Sequence, residues 1–360
     1  MIIHDFNKSI FLRHYIQLLS KYFDINAHLL LTTVVDQHDK DAVYPECFNN
    51  FEKIVKPNKG RIASIIHSFK ILPTLSKADL IITHGFSLQY YHLLKPSLLK
   101  KTVWVIWGYD LYDYRNTNRT IYQKLAFFLK KNLVRKIPYV IARPTDFKLL
   151  QEHYQSNAQL FIVEPLYGVG SKPIPHIRES ESETIHITLG NSATPTNLHF
   201  DALEHLSKFK DEDIRIYLPL SYGDMEYAKS VREKAESLFG EKVVVLDKFM
   251  SPEDYRVFLS KMDIGIFNNN RQQALGNISN LFKSGAKVYL NSESPLWDVV
   301  CGDWDMQAYS VQSIDSMTYQ EFIHVDDLVQ QENTRKTCER GNVENAVNGW
   351  KKVFALAEKK

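Results

Sequence analysis

Two periodicities alternate along the chain. Short runs that are apolar almost throughout are followed by longer stretches in which apolar residues recur every three to four positions. The short runs predict strands at Ala27–Val35, Leu80–Thr83, Thr102–Trp107 and Tyr139–Ala142 in the first half. In the second half they predict strands at Thr184–Leu189, Ile214–Pro219, Lys242–Leu246, Ile264–Phe267 and Lys287–Asn291. The longer stretches predict helices at Ile62–Leu72, Thr120–Arg135, Asn197–Phe209, Asp224–Leu238, Pro252–Lys261, Gln273–Ser284 and Val343–Ala357. Apolar strands separated by helices of ~10–15 residues are the pattern of βαβ units in a buried parallel sheet. Right-handed crossovers then put helices on both faces.

The rhythm breaks once, at Gly168-Val169-Gly170-Ser171-Lys172-Pro173-Ile174-Pro175 and the polar stretch Arg178–Glu183. Gly, Pro and polar residues make a poor core and a good linker. The expected architecture is therefore α/β, two doubly wound domains facing across a cleft. The first spans 1–168 and the second 176–342. Residues 343–360 form a C-terminal helix expected to pack back towards the first domain. The length, 360 residues, agrees with two domains at ~150 residues each.

Composition narrows the class. Hydrophobic residues at 44% and charged residues at 24% exclude fibrous and low-complexity chains. No apolar run reaches the ~18–20 residues needed to span a bilayer, and Met1-Ile2-Ile3-His4-Asp5 does not read as a secretory leader. Cys47, Cys301 and Cys338 lie far apart, which suits a reducing, cytoplasmic setting. Net charge is +2, but residues 1–150 hold 22 Lys and Arg against 11 Asp and Glu, and residues 151–360 hold 22 against 31. The basic half contains Arg119–Arg135, an amphipathic helix with aromatics. Its Lys124, Lys130 and Lys131, with the following Lys136, are expected to face an anionic membrane surface. The other reading of that helix is a buried one with a solvated basic edge.

In doubly wound sheets ligands bind beyond the carboxyl ends of strands, so chemistry is sought in those loops. Gly190-Asn191-Ser192-Ala193-Thr194-Pro195-Thr196-Asn197 follows one strand and opens a helix. Gly190 permits close backbone approach, Ser192, Thr194 and Thr196 offer hydroxyls, Asn197 is a candidate helix cap, and a helix start suits phosphate. Pro219–Asp224 brings Tyr222. Asn268–Asn277 concentrates amides around Arg271, a fork for a diphosphate, with Gln272 and Asn277 beside it. Asn291–Trp297 brings Glu293, which can accept from a ribose diol. Each loop alone also reads as an ordinary turn; together they outline a site for a molecule with phosphate and hydroxyl groups. On the first half, His84 and Asp110 follow strands and are the acid/base candidates, against readings as a structural histidine and a helix cap. No GxGxxG, Walker A, HExxH or clustered metal signature occurs. No metal, cofactor or nucleic acid is expected.

Trp107-Gly108-Tyr109-Asp110-Leu111-Tyr112, Gly190-Asn191-Ser192, Pro219-Leu220-Ser221-Tyr222, Arg271-Gln272-Gln273 and Asn291–Trp297, in this order and spacing, resemble glycosyltransferase family 56. These are the 4-acetamido-4,6-dideoxygalactosyl (Fuc4NAc) transferases. The resemblance runs from about His84 to Trp350. It implies a GT-B fold of two Rossmann-like domains and a metal-independent reaction. It also implies a dTDP-sugar donor and a polyprenyl-diphosphate-linked saccharide acceptor at the cytoplasmic face of the inner membrane. It implies that Gly190, Asn191, Ser192, Tyr222 and Arg271 hold the diphosphate end and Glu293 the ribose. The chain departs from the family pattern at Ala193-Thr194-Pro195 and Ala274-Leu275-Gly276-Asn277. A nucleotide-sugar epimerase of similar fold and a non-catalytic sugar-binding protein are the alternative readings.

Overall fold

The computed structural model describes residues 1–7, 10–33, 46–57, 60–164, 172–177 and 183–358. The end of the predicted strand Ala27–Val35 and the linker residues 168–171 and 178–182 lie outside the described residues. The chain forms two compact units. One is Met1–Val169 with Gly341–Lys360, the other Gly170–Arg340.

The first unit is built on seven parallel strands: β1 (Ile2–Asp5), β2 (His28–Thr32), β3 (Glu52–Val55), β4 (Leu80–His84), β5 (Thr102–Val105), β6 (Tyr139–Ile141) and β7 (Gln159–Phe161). Their order is β3-β2-β1-β4-β5-β6-β7. The second has six: β8 (Ile185–Leu189), β9 (Ile214–Pro219), β10 (Val243–Leu246), β11 (Ile264–Phe267), β12 (Lys287–Leu290) and β13 (Tyr309–Ser310). Their order is β10-β9-β8-β11-β12-β13, again parallel. Both sheets reverse direction beside their first strand, between β1 and β4 and between β8 and β11. A crevice for ligands opens at such a reversal.

β1, at the centre of its sheet, lies outside the elements predicted from sequence. Its four residues, Ile-Ile-His-Asp, are too few and too polar to stand out, yet all are buried, with Ile3 level with Leu29 and Ile81 on either side. Helix Asp327–Arg340 is also unpredicted because it has no apolar stripe. Polar side chains dock it instead: Gln330 Nε2 donates to Gly285 O at 2.6 Å, Thr334 Oγ1 to Phe282 O at 2.7 Å and Asn333 Nδ2 to Gln307 O at 2.8 Å. The chain then returns to the first unit. Asn342 caps helix Val343–Phe354, which buries Ala346, Val347, Trp350, Val353 and Phe354 against Leu12, Ile16, Leu30 and Ile82. No described helix is long and apolar enough to cross a membrane.

Candidate functional site

The loop after β8 is organised by one buried amide. Asn197 Nδ2 donates to Thr194 Oγ1 at 2.8 Å and to the Ser192 carbonyl at 3.0 Å, and its Oδ1 accepts the Asn191 N–H at 3.1 Å. Asn197 therefore shapes the loop rather than capping the helix. The helix begins at His199, after Leu198 in the left-handed region at φ 48°. Gly190, at φ 75°, has His199 Nε2 and Asn197 Oδ1 against it, so the turn has no room for a side chain. The loop after β9 is locked alongside. Ala193 N–H donates to Tyr222 O at 2.8 Å, and Asp224 N–H to Ala193 O at 2.7 Å.

Side chains knit these loops to the one after β11. Asn191 Nδ2 donates to the Tyr222 hydroxyl at 3.2 Å, and Gln273 Nε2 to Asn191 Oδ1 at 3.0 Å. Thr196 Oγ1 donates to Gln273 Oε1 at 2.9 Å, and Arg271 Nε donates to the same oxygen at 2.8 Å. Asn191, Thr194, Tyr222 and Arg271 thus share one network, with Thr194 joined through Thr196 and Ser192 through Asn197 and Thr194, while Gly190 lies against Asn197 without a hydrogen bond to it. The single guanidinium lies among hydroxyls and amides.

The same reversal point holds polar atoms that no described residue satisfies. Thr188 Oγ1, His199 Nε2, Asn268 Oδ1, both side-chain polar atoms of Asn269 and Gln272 Oε1 are buried without hydrogen-bond partners. Asn269 is fully buried. Burial holds the His199 ring at about 4, so it is neutral at pH 7. An unpartnered buried polar group costs roughly 1–3 kcal/mol. Several at the ends of adjacent strands mark a place where a polar ligand belongs. Helix Leu275–Lys283 starts there too, entered through Ala274 at φ 62° without a side-chain cap.

Two predicted donor residues stand apart from this network. Asn277 Nδ2 donates to the Tyr255 hydroxyl at 3.0 Å. Glu293 is exposed, and only its backbone N–H is tied down, donating to Asn291 Oδ1 at 3.0 Å. Gln273, Asn269 and His199 were not singled out by sequence reasoning. The amide-rich run Asn268–Gln273 pointed to the first two. Nothing in the sequence pointed to His199, since its place beside Gly190 depends on the turn at Leu198.

The acid/base candidates of the first unit need correction. Asp110 is buried, and its carboxylate accepts three hydrogen bonds: Phe86 N–H at 2.8 Å, Trp104 Nε1 at 2.7 Å and Trp107 N–H at 3.0 Å. It clamps the loop after β4 to the loop after β5, and is not placed to take a proton from a substrate. Burial pushes its carboxyl up, against those bonds and the nearby Lys130 charge. His84 is buried between aromatic rings, stacked on Phe6 at 4.1 Å and Trp350 at 6.1 Å between centroids. Burial lowers its ring to about 3, which makes it a poor base. Lys130 is not on a membrane-facing surface. It is buried, and its Nζ donates to the Asp110 carbonyl at 2.6 Å and Asp113 Oδ2 at 3.4 Å. Lys124 and Lys136 are exposed and Lys131 is half-buried. Among the described residues no cluster of His, Cys, Asp and Glu fits a metal ion.

Two doubly wound units with paired reversal points are the GT-B fold, and solved glycosyltransferases share it along nearly their whole length. A glycosyltransferase from Rickettsia africae superposes with TM-score 0.68 at 12% identity, covering 100% of this chain and 98% of that one. Anabaena Alr3699/HepE, in complex with UDP and glucose, gives 0.66 at 11% identity, covering 98% and 99%. WaaG, a glycosyltransferase involved in lipopolysaccharide biosynthesis, gives 0.58 at 13%, covering 100% and 98%. The protein thus has GT-B architecture. Residues 46–359 match the family described as 4-alpha-L-fucosyltransferase, glycosyl transferase group 56; the chain belongs to that family and is a hexosyltransferase.

Proposed function

We propose that this glycosyltransferase moves a deoxyamino sugar of the Fuc4NAc type from a dTDP donor to a hydroxyl of a polyprenyl-diphosphate-linked saccharide. The setting would be bacterial surface polysaccharide synthesis at the inner face of the cell membrane. The observation that carries the reading is the set of unsatisfied buried polar atoms on the amides of Asn268, Asn269 and Gln272, the Thr188 hydroxyl and the His199 imidazole, in and after β8 and β11, with Arg271 in the same loop. Neutral amides and hydroxyls suit sugar and nucleoside groups, and a guanidinium suits a diphosphate. The UDP and glucose held by Alr3699/HepE support a nucleotide-sugar donor in this fold.

In the reaction an acceptor oxygen bonds to the anomeric carbon, the bond from that carbon to the diphosphate oxygen breaks with its electron pair going to dTDP, and the hydroxyl proton is released to solvent. Negative charge grows on the departing dTDP. Arg271 and the uncapped helix start at Leu275 supply positive potential for it without a metal ion. The test is transfer by the purified full chain. We expect sugar to pass from the dTDP donor to the lipid-linked saccharide, with little turnover when acceptor is omitted. Rapid isomerisation of the donor alone would establish the epimerase reading. Transfer from UDP-sugars but not from the dTDP donor would overturn the donor assignment.

A further inference from the structure

Two helices of the first unit carry apolar residues that no other described residue covers. Helix Arg61–Lys77 (RIASIIHSFKILPTLSK) leaves Ile62, Ile66 and Phe69 exposed by 75%, 51% and 57%. Helix Ile121–Val134 (IYQKLAFFLKKNLV) leaves Ile121, Leu125 and Phe128 exposed by 87%, 56% and 61%. On each helix the three positions are i, i+4 and i+7, a single stripe. The core-facing sides lie elsewhere, at Ser68, Ile71 and Leu75 on the first and at Lys130, Leu133 and Val134 on the second. The stripes share a corner, because the Arg61 guanidinium sits 4.0 Å over the Tyr122 ring. Isolated exposed apolar residues are ordinary; six on two adjoining helices are not.

The charge on these helices has one sign. Neither contains Asp or Glu, while Arg61, Lys70, Lys77 and Lys124 are exposed and Lys131 is half-buried. An apolar stripe on a helix whose only charges are cationic is complementary to an anionic lipid surface.

We propose that helices Arg61–Lys77 and Ile121–Val134 form one insertion face. Its six apolar side chains enter the boundary between headgroups and acyl chains of an anionic bilayer, and its lysines meet the lipid phosphates. This rests on the reading of a lipid-carried acceptor and names the surface that meets the lipid; it does not depend on the donor. It differs from purely electrostatic docking because apolar insertion survives salt, whereas attraction between exposed charges is screened within a Debye length of ~8 Å at physiological ionic strength.

The test uses the full chain and vesicles of phosphatidylglycerol and phosphatidylethanolamine, with phosphatidylcholine vesicles as reference. Sedimentation is measured at low salt and in 0.5 M salt. Leu125→Ser with Phe128→Ser, and separately Ile66→Ser with Phe69→Ser, should each weaken capture by roughly tenfold at both salt concentrations. Lys124→Gln with Lys131→Gln should weaken it at low salt only. The four apolar side chains replaced are exposed, and a parental thermal unfolding transition of the first unit in each variant shows that its fold is intact. Parent-like capture of either serine pair overturns the shared face. So does a parent that ignores vesicles but self-associates in a way the serine pairs abolish; the occupant is then a second copy of the chain. A water-soluble, short-chain acceptor separates the two readings. Continued transfer to it without vesicle capture defeats the insertion face alone, whereas no transfer to any acceptor defeats the proposed function.

Discussion

At the reversal point of the first sheet, Asp5 accepts from Lys56 and, at 2.6 Å, from the Tyr91 hydroxyl. One strand further on, Asp110 accepts three hydrogen bonds. At the reversal point of the second sheet, Asn269 is buried with neither polar atom satisfied, and Asn268, Gln272, Thr188 and His199 each have one that is unpaired. The topology is the same, but the carboxylates of the first unit are used by the protein and the amides of the second are left for something else. Among the described residues the first unit has unpartnered imidazole nitrogens at His67, His84 and His92, with Thr83 Oγ1 and Gln89 Oε1; burial among aromatic rings holds His84 at about 3, hence neutral. A doubly wound fold offers a crevice at each reversal, and the state of the polar groups there tells which one is built around a polar ligand.

The comparison predicts its largest effect with acid. In the first unit burial holds His28 and His92 at about 4 and His84 at about 3, and His4 well below its ordinary value; in the second it holds His199 at about 4. An unfolded histidine titrates near 6.5. As pH falls through that value the unfolded chain binds protons that the folded chain refuses. Stability present at pH 7 is therefore lost on acidification, down to the folded pKa values. His28, His84, His92 and His199 each remove about 2 kcal/mol between pH 7 and pH 5, and His4 acts in the same direction. Four in the first unit against one in the second predict that β1, β2, β4 and β5 lose hydrogen-exchange protection at pH 5 well before β8, β9 and β11. Equal loss in both sheets would break the contrast.

The next effect is at Asp110. Asp110→Ala orphans two backbone N–H groups and the Trp104 indole, and should lower unfolding free energy by about 3 kcal/mol. Chemical denaturation followed in the first unit would show this, with dTDP affinity unchanged. A variant of parental stability but reduced kcat would return Asp110 to the chemistry. A smaller effect of opposite sign is expected in the second unit. Asn269→Leu removes an unsatisfied amide, so it should raise the unfolding free energy of the ligand-free protein by about 1 kcal/mol while weakening donor binding. A destabilised variant that binds donor normally would make Asn269 an ordinary core residue.

Much of the fold is legible because most central strands are apolar end to end. β8, β9 and β11 fall within a residue of their predicted limits. Short or edge strands are legible only where they are apolar, as β6 and β10 are; β3 is Glu-Lys-Ile-Val, β7 has three residues and β13 two, and β1 hides a buried His and Asp. The loops of the donor region were readable because they follow apolar strands. The fate of single polar residues was not. Asp110 is neutralised as a base by N–H groups from the next loop and from a tryptophan, which no local pattern encodes. Lys130 is the exception. It shares a helix face with Leu133 and Val134 at i+3 and i+4, a spacing that already marks it as inward-facing.

The central claim is that the donor is held at the reversal point of the second sheet. The most direct test is calorimetric titration of the full chain with dTDP. Arg271→Ala removes a charge-assisted contact and should weaken binding by roughly 1.5–3 kcal/mol, about ten- to a hundredfold. Tyr109→Phe, which alters an exposed side chain of the first unit, should leave affinity where it was. Parental affinity in Arg271→Ala, or a loss confined to Tyr109→Phe, would contradict the assignment.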